Sequence, residues 1–220
     1  VTGGQPERSA GGSIPWWGVA SAAATPVVLG VGWTIAAWLQ PGRYDSARQT
    51  VSVLAAHGAA DRWVMTLAFI VVGGCDVITG LALRPAARLG RVILIAGGIA
   101  GMLVGFNPET IGAASAPLHV LFAAIGFVAL TIWPAAAARP GGDVDPPWAL
   151  RPAPAAVAAT LTATFFGWFL VELITGGELL GVAERAIGEL QALWPLVVVA
   201  SCLAAKPSRR RDPTASQRPA

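Results

Sequence analysis

The chain has 220 residues, 55% of them hydrophobic and only 12% charged, against about 25% charged in an ordinary soluble domain. That balance excludes a typical soluble domain and, by its apolar content, a disordered chain. Two cysteines and a formal net charge of +3 exclude a disulfide scaffold and give no strong polyelectrolyte character.

A bilayer core about 30 Å thick takes about 20 apolar helical residues. Six runs reach that length: Pro15–Leu39, Trp63–Leu83, Leu89–Phe106, Pro117–Ala138, Ala153–Thr175 and Ala186–Ala205. Pro26 and Pro195 fall inside the first and sixth runs and are expected to kink them. The first run reads as a retained helix, since it exceeds the roughly 7–15 residues of a signal-peptide core. The predicted fold is all-α: a polytopic membrane protein with six transmembrane helices in one bundle and a short amphipathic helix in the first outer loop. A transmembrane domain over residues 14–205 is expected between disordered tails at 1–13 and 206–220, the second of them basic.

Orientation follows from the basic residues. Eleven Lys and Arg fall on the tails and the even-numbered loops, including Arg84, Arg88, Arg91, Arg139 and Arg151; four, Arg43, Arg48, Arg62 and Arg185, fall on the other side. Basic residues near helix ends stay cytoplasmic, so both termini are predicted cytoplasmic, in a bacterial inner (plasma) membrane. Tryptophans support this frame. Trp16, Trp17, Trp133 and Trp148 fall at the inner ends and Trp38 and Trp63 at the outer ends, where indole rings favour the interface. Trp33, Trp168 and Trp194 lie deeper and read as packing residues.

The first outer loop, Gln40 to Arg62, is the longest. Asp45 can cap a helix whose apolar set is Tyr44, Ala47, Val51, Leu54 and Ala55, with Arg48, Gln49 and Ser52 opposite and Gly58 at its end. Such a helix lies on the outer surface or tucks over the bundle as a lid. In the third run Gly97, Gly101 and Gly105 recur at four-residue spacing. Small residues on one face mark a close helix contact, with another helix of the chain, a second copy in a homo-oligomer, or another membrane protein.

Both histidines, His57 and His119, fall on the outer side, among Asp45, Asp61, Glu109, Glu172, Glu178, Glu184 and Glu189. These groups could supply acid–base chemistry or simply form a solvated salt-bridged face. No HExxH or paired-histidine spacing points to a metal, and two histidines do not make a double haem site, so no metal or cofactor is expected. Ser52 with His57, oriented by Asp45 or Asp61, is a nucleophile–base arrangement without a Gly-x-Ser-x-Gly elbow. An enzyme reading would gather His57 and His119 with Asp45 or Glu172. Glu172, about a turn from its helix end, either joins His119 and Glu109 or snorkels to water.

Asp76 lies well inside the second run, where an ionisable side chain is costly and faces the bundle interior. It either glues helices through hydroxyls such as Ser21, Thr25, Thr79, Thr131, Thr160 or Ser201, carries a proton or cation, or holds a polar lipid group. Cys75 and Cys202 sit within spans and read as reduced packing residues.

The residues Tyr44-Asp45, Arg48-Gln49, Ser52, Leu54-Ala55, Gly58 and Asp61-Arg62-Trp63, then Leu81-x-Leu83-Arg84-Pro85, form a pattern that carries further. With Phe106-Asn107-Pro108 and His119 it resembles the domain of unknown function 998 family of bacterial and archaeal integral membrane proteins, most closely its actinobacterial members. The resemblance spans about Ile14 to Ala205. It implies a six-helix membrane fold and assigns no catalytic residue.

The expected function is that of a multi-pass membrane protein, lipid-associated or an accessory interaction protein, with membrane lipids as partners and no nucleic acid, since topology and lipid heads account for the basic residues. Candidate binding residues are Asp76, Arg48 and Glu109; candidate catalytic residues are His57, His119, Asp45, Ser52 and Glu172. The alternatives are an outer-surface lipid hydrolase or transferase and a proton-coupled small-molecule transporter using Asp76.

Overall fold

The computed structural model describes residues 14–42, 44–111, 116–142 and 145–205; both predicted tails lie outside the described residues. Among the described residues seven α-helices follow in order: α1 (Trp16–Trp38), α2 (Ser52–Ala55), α3 (Trp63–Ala82), α4 (Arg88–Phe106), α5 (Pro117–Ala137), α6 (Pro152–Thr175) and α7 (Leu180–Ala204). A 3₁₀ turn at Trp148–Leu150 precedes α6. All but α2 are long and apolar enough to cross a membrane. Proline starts α5 and α6 where its missing N–H costs nothing. Gly176 ends α6 in the left-handed region (φ 64°), with its N–H on the Glu172 carbonyl.

Polar and apolar surfaces are inverted relative to a water-soluble bundle. Val27, Val31, Ile35, Leu67, Ile78, Ile99, Ile125 and Val157 are exposed on the outside, whereas Ser21, Thr25, Asp76, Thr79, Thr131, Thr162 and Gln191 are buried. An apolar exterior around a polar interior is the distribution that lipid, and not water, stabilises. Trp16, Trp38, Trp63 and Trp148 are exposed at helix ends. Trp133 differs from expectation: it is fully buried in the core that Leu83, Leu94, Leu150 and Val198 form at that end. The 3₁₀ turn produces this burial by tucking beneath the bundle, where Ala149 N–H donates to Ser201 Oγ at 2.9 Å and Arg139 N–H donates to the Leu150 carbonyl at 2.8 Å.

The six long helices close into a ring in the order α1, α3, α4, α5, α6, α7 and back to α1. Small residues set the neighbours. Gly18 and Gly32 of α1 meet Ala82 and Ala68 of α3, Gly73 of α3 meets Gly98 of α4, and Gly90 of α4 meets Ala137 of α5. The glycine stripe is used within the chain. Gly97 packs against Ala129 and Leu130 of α5, Gly101 lies by Gly73 and Gly126, and Gly105 packs against Thr66 and Phe69 of α3. Arg91 closes the other end of α3, donating to the carbonyls of Gly80 and Leu81 at 3.0 Å each, where the helix dipole favours a cation.

Two boundaries differ from the sequence reading. The helix expected from Asp45 to Gly58 is reduced to Ser52–Ala55, because side chains take the upstream backbone groups. Asp45 Oδ1 accepts from Ala47 N–H and Gln49 Oε1 from Asp45 N–H, both at 2.9 Å, while the Tyr44 hydroxyl contacts the carbonyls of Gln49 and Thr50. The last helix starts at Leu180 and not at Ala186. Glu184 and Arg185 read as loop charges, yet both find partners in the first loop and are carried by the helix.

Glycine contacts of this kind make a direct test. A Cβ at Gly98 would come within 2.5 Å of the Gly73 carbonyl oxygen and 2.9 Å of Asp76 Cβ, whereas one at Gly74 meets nothing within 4 Å. Gly98→Ala is expected to destabilise the protein by about 1–3 kcal/mol through overpacking. Gly74→Ala is expected to be neutral or to stabilise by up to about 1 kcal/mol. Denaturant unfolding in micelles compares the two, and equal effects would contradict this packing.

Candidate functional site

The polar groups with the most elaborate surroundings lie at the end of the ring opposite Trp16 and Ala204, where the first loop forms a cap. Val51, Leu54, Ala55 and Ala56 of the cap are buried, and Leu54 packs with Leu29, Met65, Ala68 and Ala192. The loop therefore covers the bundle as a lid.

One edge of the lid is held by α7. The first-turn N–H groups of Gly181 and Val182, which lack intrahelical partners, donate to the Ala47 carbonyl at 2.7 and 3.2 Å. Arg185 Nη1 donates to the carbonyls of Ser46 at 2.8 Å and Gln49 at 3.2 Å. Its Nη2 donates to the Tyr44 hydroxyl at 2.5 Å. The guanidinium also lies 5.8 Å from the ring centroids of both Trp33 and Tyr44, a cation–π distance. Glu184, almost fully buried, accepts the Val51 N–H at 2.5 Å. Outside this clamp, Arg48 pairs with Glu178 at 2.6 Å and with Asp45 at 3.7 Å, both in solvent, where such pairs contribute about 0–1 kcal/mol.

The opposite edge meets α5 and the loop that joins α4 to α5, the second loop of this capped end. His57 N–H donates to the Glu109 carbonyl at 2.7 Å and Ile111 N–H to the His57 carbonyl at 3.2 Å, so the two loops share a short parallel bridge. Beneath it lies His119, only 3% exposed. Its Nδ1 is 2.9 Å from the Asn107 carbonyl oxygen and its Nε2 is 3.2 Å from Ser52 Oγ. A carbonyl only accepts, so Nδ1 carries the proton, and in the neutral ring Nε2 presents a lone pair to the Ser52 hydroxyl. Glu109 Oε1 stands 3.7 Å from the same Nε2.

The candidate residues are thus rearranged. Ser52 pairs with His119 and not with His57, whose contacts with the second loop are made by its backbone. Asp45 is turned to Ala47 N–H and Arg48, and Asp61 accepts from Trp63 Nε1 at 3.2 Å. Glu172 neither snorkels freely nor joins His119: its oxygens accept from Trp168 Nε1 at 3.1 Å and Leu179 N–H at 3.0 Å. Glu184, Arg185 and the Asn107 carbonyl are parts of the cap that sequence reasoning did not single out. A signal was present for the first, because Gly181, Glu184, Gly188, Gln191 and Pro195 follow helical spacing along one face. Among the described residues no three His, Cys, Asp or Glu side chains gather so as to hold a metal ion.

Asp76 is a second place of interest. It is 3% exposed, packed where α3 meets Gly98 of α4, and its Oδ1 has no hydrogen-bond partner among the described residues. Five of the six hydroxyls expected to serve it bond elsewhere, and Thr160 lines the α5–α6 groove. Ser21 and Thr79 bond each other at 2.8 Å, Thr25 donates to the Ser21 carbonyl, Thr131 accepts from Gln191 Nε2, and Ser201 holds the 3₁₀ turn. A third feature is a lateral groove between α5 and α6, lined by Thr131, Ile132, Ala135, Ala159, Thr160, Ala163 and Thr164. Above it the same seam is closed by Phe127, Phe166 and Phe169, whose ring centroids are 5.2–6.4 Å apart.

Tyr44 reports on the clamp, because it is the chain's one tyrosine. Burial pushes its phenol above the ordinary 10.0, against the opposing pull of the Arg185 hydrogen bond and charge. The folded chain then holds this proton to higher pH than the unfolded chain, so its contribution to stability is intact below about pH 10 and falls as pH rises beyond that. Phenolate absorbance on titration of the folded protein is expected to show a midpoint above 10.0; a midpoint at or below it would contradict the dominance of burial at Tyr44.

No curated protein and no solved structure matches the chain significantly. Residues 22–201 match the family model described as protein of unknown function DUF998. That match covers all six long helices in whole or in large part, together with the cap and the Ser52–His119 contact. The chain is a multi-pass membrane protein of the DUF998 family.

Proposed function

We propose that this protein is a lipid-associated protein of the bacterial plasma membrane, with the Arg-rich end in the cytoplasm, and that it seats an acyl chain in the groove between α5 and α6. The groove carries this reading. Its walls combine alanines, which leave room for a chain, with Ile132 and three threonines, and it opens sideways from the bundle. Aromatic stacking closes the seam in the other half, so the opening is confined to the half of the bundle near Arg139 and Arg151. Basic groups at that mouth suit the phosphate of an anionic lipid. The least buried of the six spans is α6, which fits a helix shared between protein and lipid contacts.

A phosphatidylglycerol analogue bearing a photoactivatable acyl chain, in nanodiscs, tests this reading. Crosslinks are expected to concentrate on α5 and α6 and to fall severalfold in Ala163→Trp, which fills the groove. Equal labelling of all six spans, unchanged by the substitution, would refute the site.

A second reading rests on the partnerless Asp76 oxygen, which suits proton or cation exchange in a transport cycle. The continuity of all six spans weighs against it, since transporters of that kind break helices near mid-membrane. In proteoliposomes with a trapped pH indicator, this reading expects an imposed proton gradient to decay more slowly with Asp76→Asn than with the unsubstituted protein. Equal decay rates would remove it.

A further inference from the structure

We infer that Ser52 and His119 form a nucleophile–base pair that acts on ester-linked acyl chains at the capped end of the bundle. The site is distinct from the α5–α6 groove, and its test is independent of lipid binding there. Three features carry it. The first is polarity within the pair: the Asn107 carbonyl 2.9 Å from Nδ1 fixes the tautomer, so that Nε2, 3.2 Å from Ser52 Oγ, is the atom free to accept a proton. The second is placement. His119 is sealed beneath the lid, while Ser52 is only half-buried, so the pair sits at the edge of the buried cap with its base shielded from water. The third is the carboxylate of Glu109, 3.7 Å from Nε2, which stabilises the imidazolium formed when His119 takes the proton.

Depth and surroundings name the substrate class. His119 is the third residue of α5 and Ser52 stands just outside the spans, the level at which the ester carbonyls of membrane lipids lie. Leu118 beside His119, Ile111 beside Gly58, and Trp63 are exposed apolar side chains at the same end, suited to the acyl chain of such an ester.

In the acylation step Ser52 Oγ bonds to the ester carbonyl carbon while its proton passes to Nε2 and the carbonyl electron pair moves onto oxygen. That pair then re-forms the carbonyl, the bond to the alcohol breaks, and His119 returns the proton to the departing alkoxide. Water, or the hydroxyl of an acceptor lipid, repeats the sequence against the Ser52 ester, giving a free acid or a transferred acyl group.

An alkyl fluorophosphonate probe with a long chain, applied to the full protein in nanodiscs and followed by peptide mass mapping, decides the matter. A single adduct on Ser52 is expected, absent in Ser52→Ala. Labelling is expected to slow about 100-fold in His119→Gln, the lower range for loss of a general base. The phenolate titration and thermal unfolding of each variant check that the lid remains closed. Should His119→Gln lose the fold, Glu109→Gln replaces it, with labelling expected to slow about tenfold because the imidazolium loses its counter-charge. No adduct on Ser52 in the folded protein overturns the inference, as does an unchanged labelling rate in a folded His119→Gln or, in its place, Glu109→Gln.

Discussion

Lipid offers helices no hydrophobic reason to associate, so the fold depends on how closely backbones can approach. Gly73 against Gly98 brings α3 and α4 together at backbone distance, and Gly90 against Ala137 does the same for α4 and α5. These contacts make α4 the link between the first two loops of the capped end. The first loop enters α3 and the second leaves α4 for α5, so joining the three helices edge to edge puts Ser52 and His119, 67 positions apart, within one hydrogen bond. The cap chemistry follows from the small-residue contacts below it.

A polar loop over an apolar bundle must satisfy its backbone, because a buried unpaired N–H or carbonyl costs about 1–3 kcal/mol. The first loop meets this demand with side chains. Arg185 takes two loop carbonyls and the Tyr44 hydroxyl, and Glu184 takes Val51 N–H. Ala47 in turn satisfies the first turn of α7. Loop and helix complete each other, which explains why adjacent charged residues can open a membrane-spanning helix. Asp76 is the contrast: it is equally buried, and one of its oxygens has no partner among the described residues. An isolated carboxyl of this kind is tolerated when neutral, at a cost that packing alone does not explain.

The six spans were legible in the sequence because their signal is long and local: about 20 apolar residues between charged or proline-rich breaks. Interiors were also legible where a single residue violated that pattern, as Asp76 does. The cap was not. Period counting assigned Asp45 to Gly58 to one helix, but Asp45, Gln49 and Tyr44 bond local backbone groups in competition with helix formation. Charge counting placed Glu184 and Arg185 in a loop, since their partners are distant in sequence. For the same reason Ser52 was matched with the nearby His57, whereas its partner is the histidine that helix packing delivers.

The cap spans the mouth of the ring from α7, through Glu184 and Arg185, to α5, through His119. Between those two anchors in the ring lies α6, which touches α5 and α7 but has no part in the anchors and is the least buried span. A shift of α6 would leave both anchors in place. Separation of α5 from α7, by contrast, pulls α2 from both sides, because Val51 N–H is held by one helix and Ser52 Oγ by the other. The lid thus braces α5 and α7 and not α6. The proposed lipid groove between α5 and α6 and the Ser52–His119 contact are compatible in one molecule, since α6 positions neither member of the polar pair.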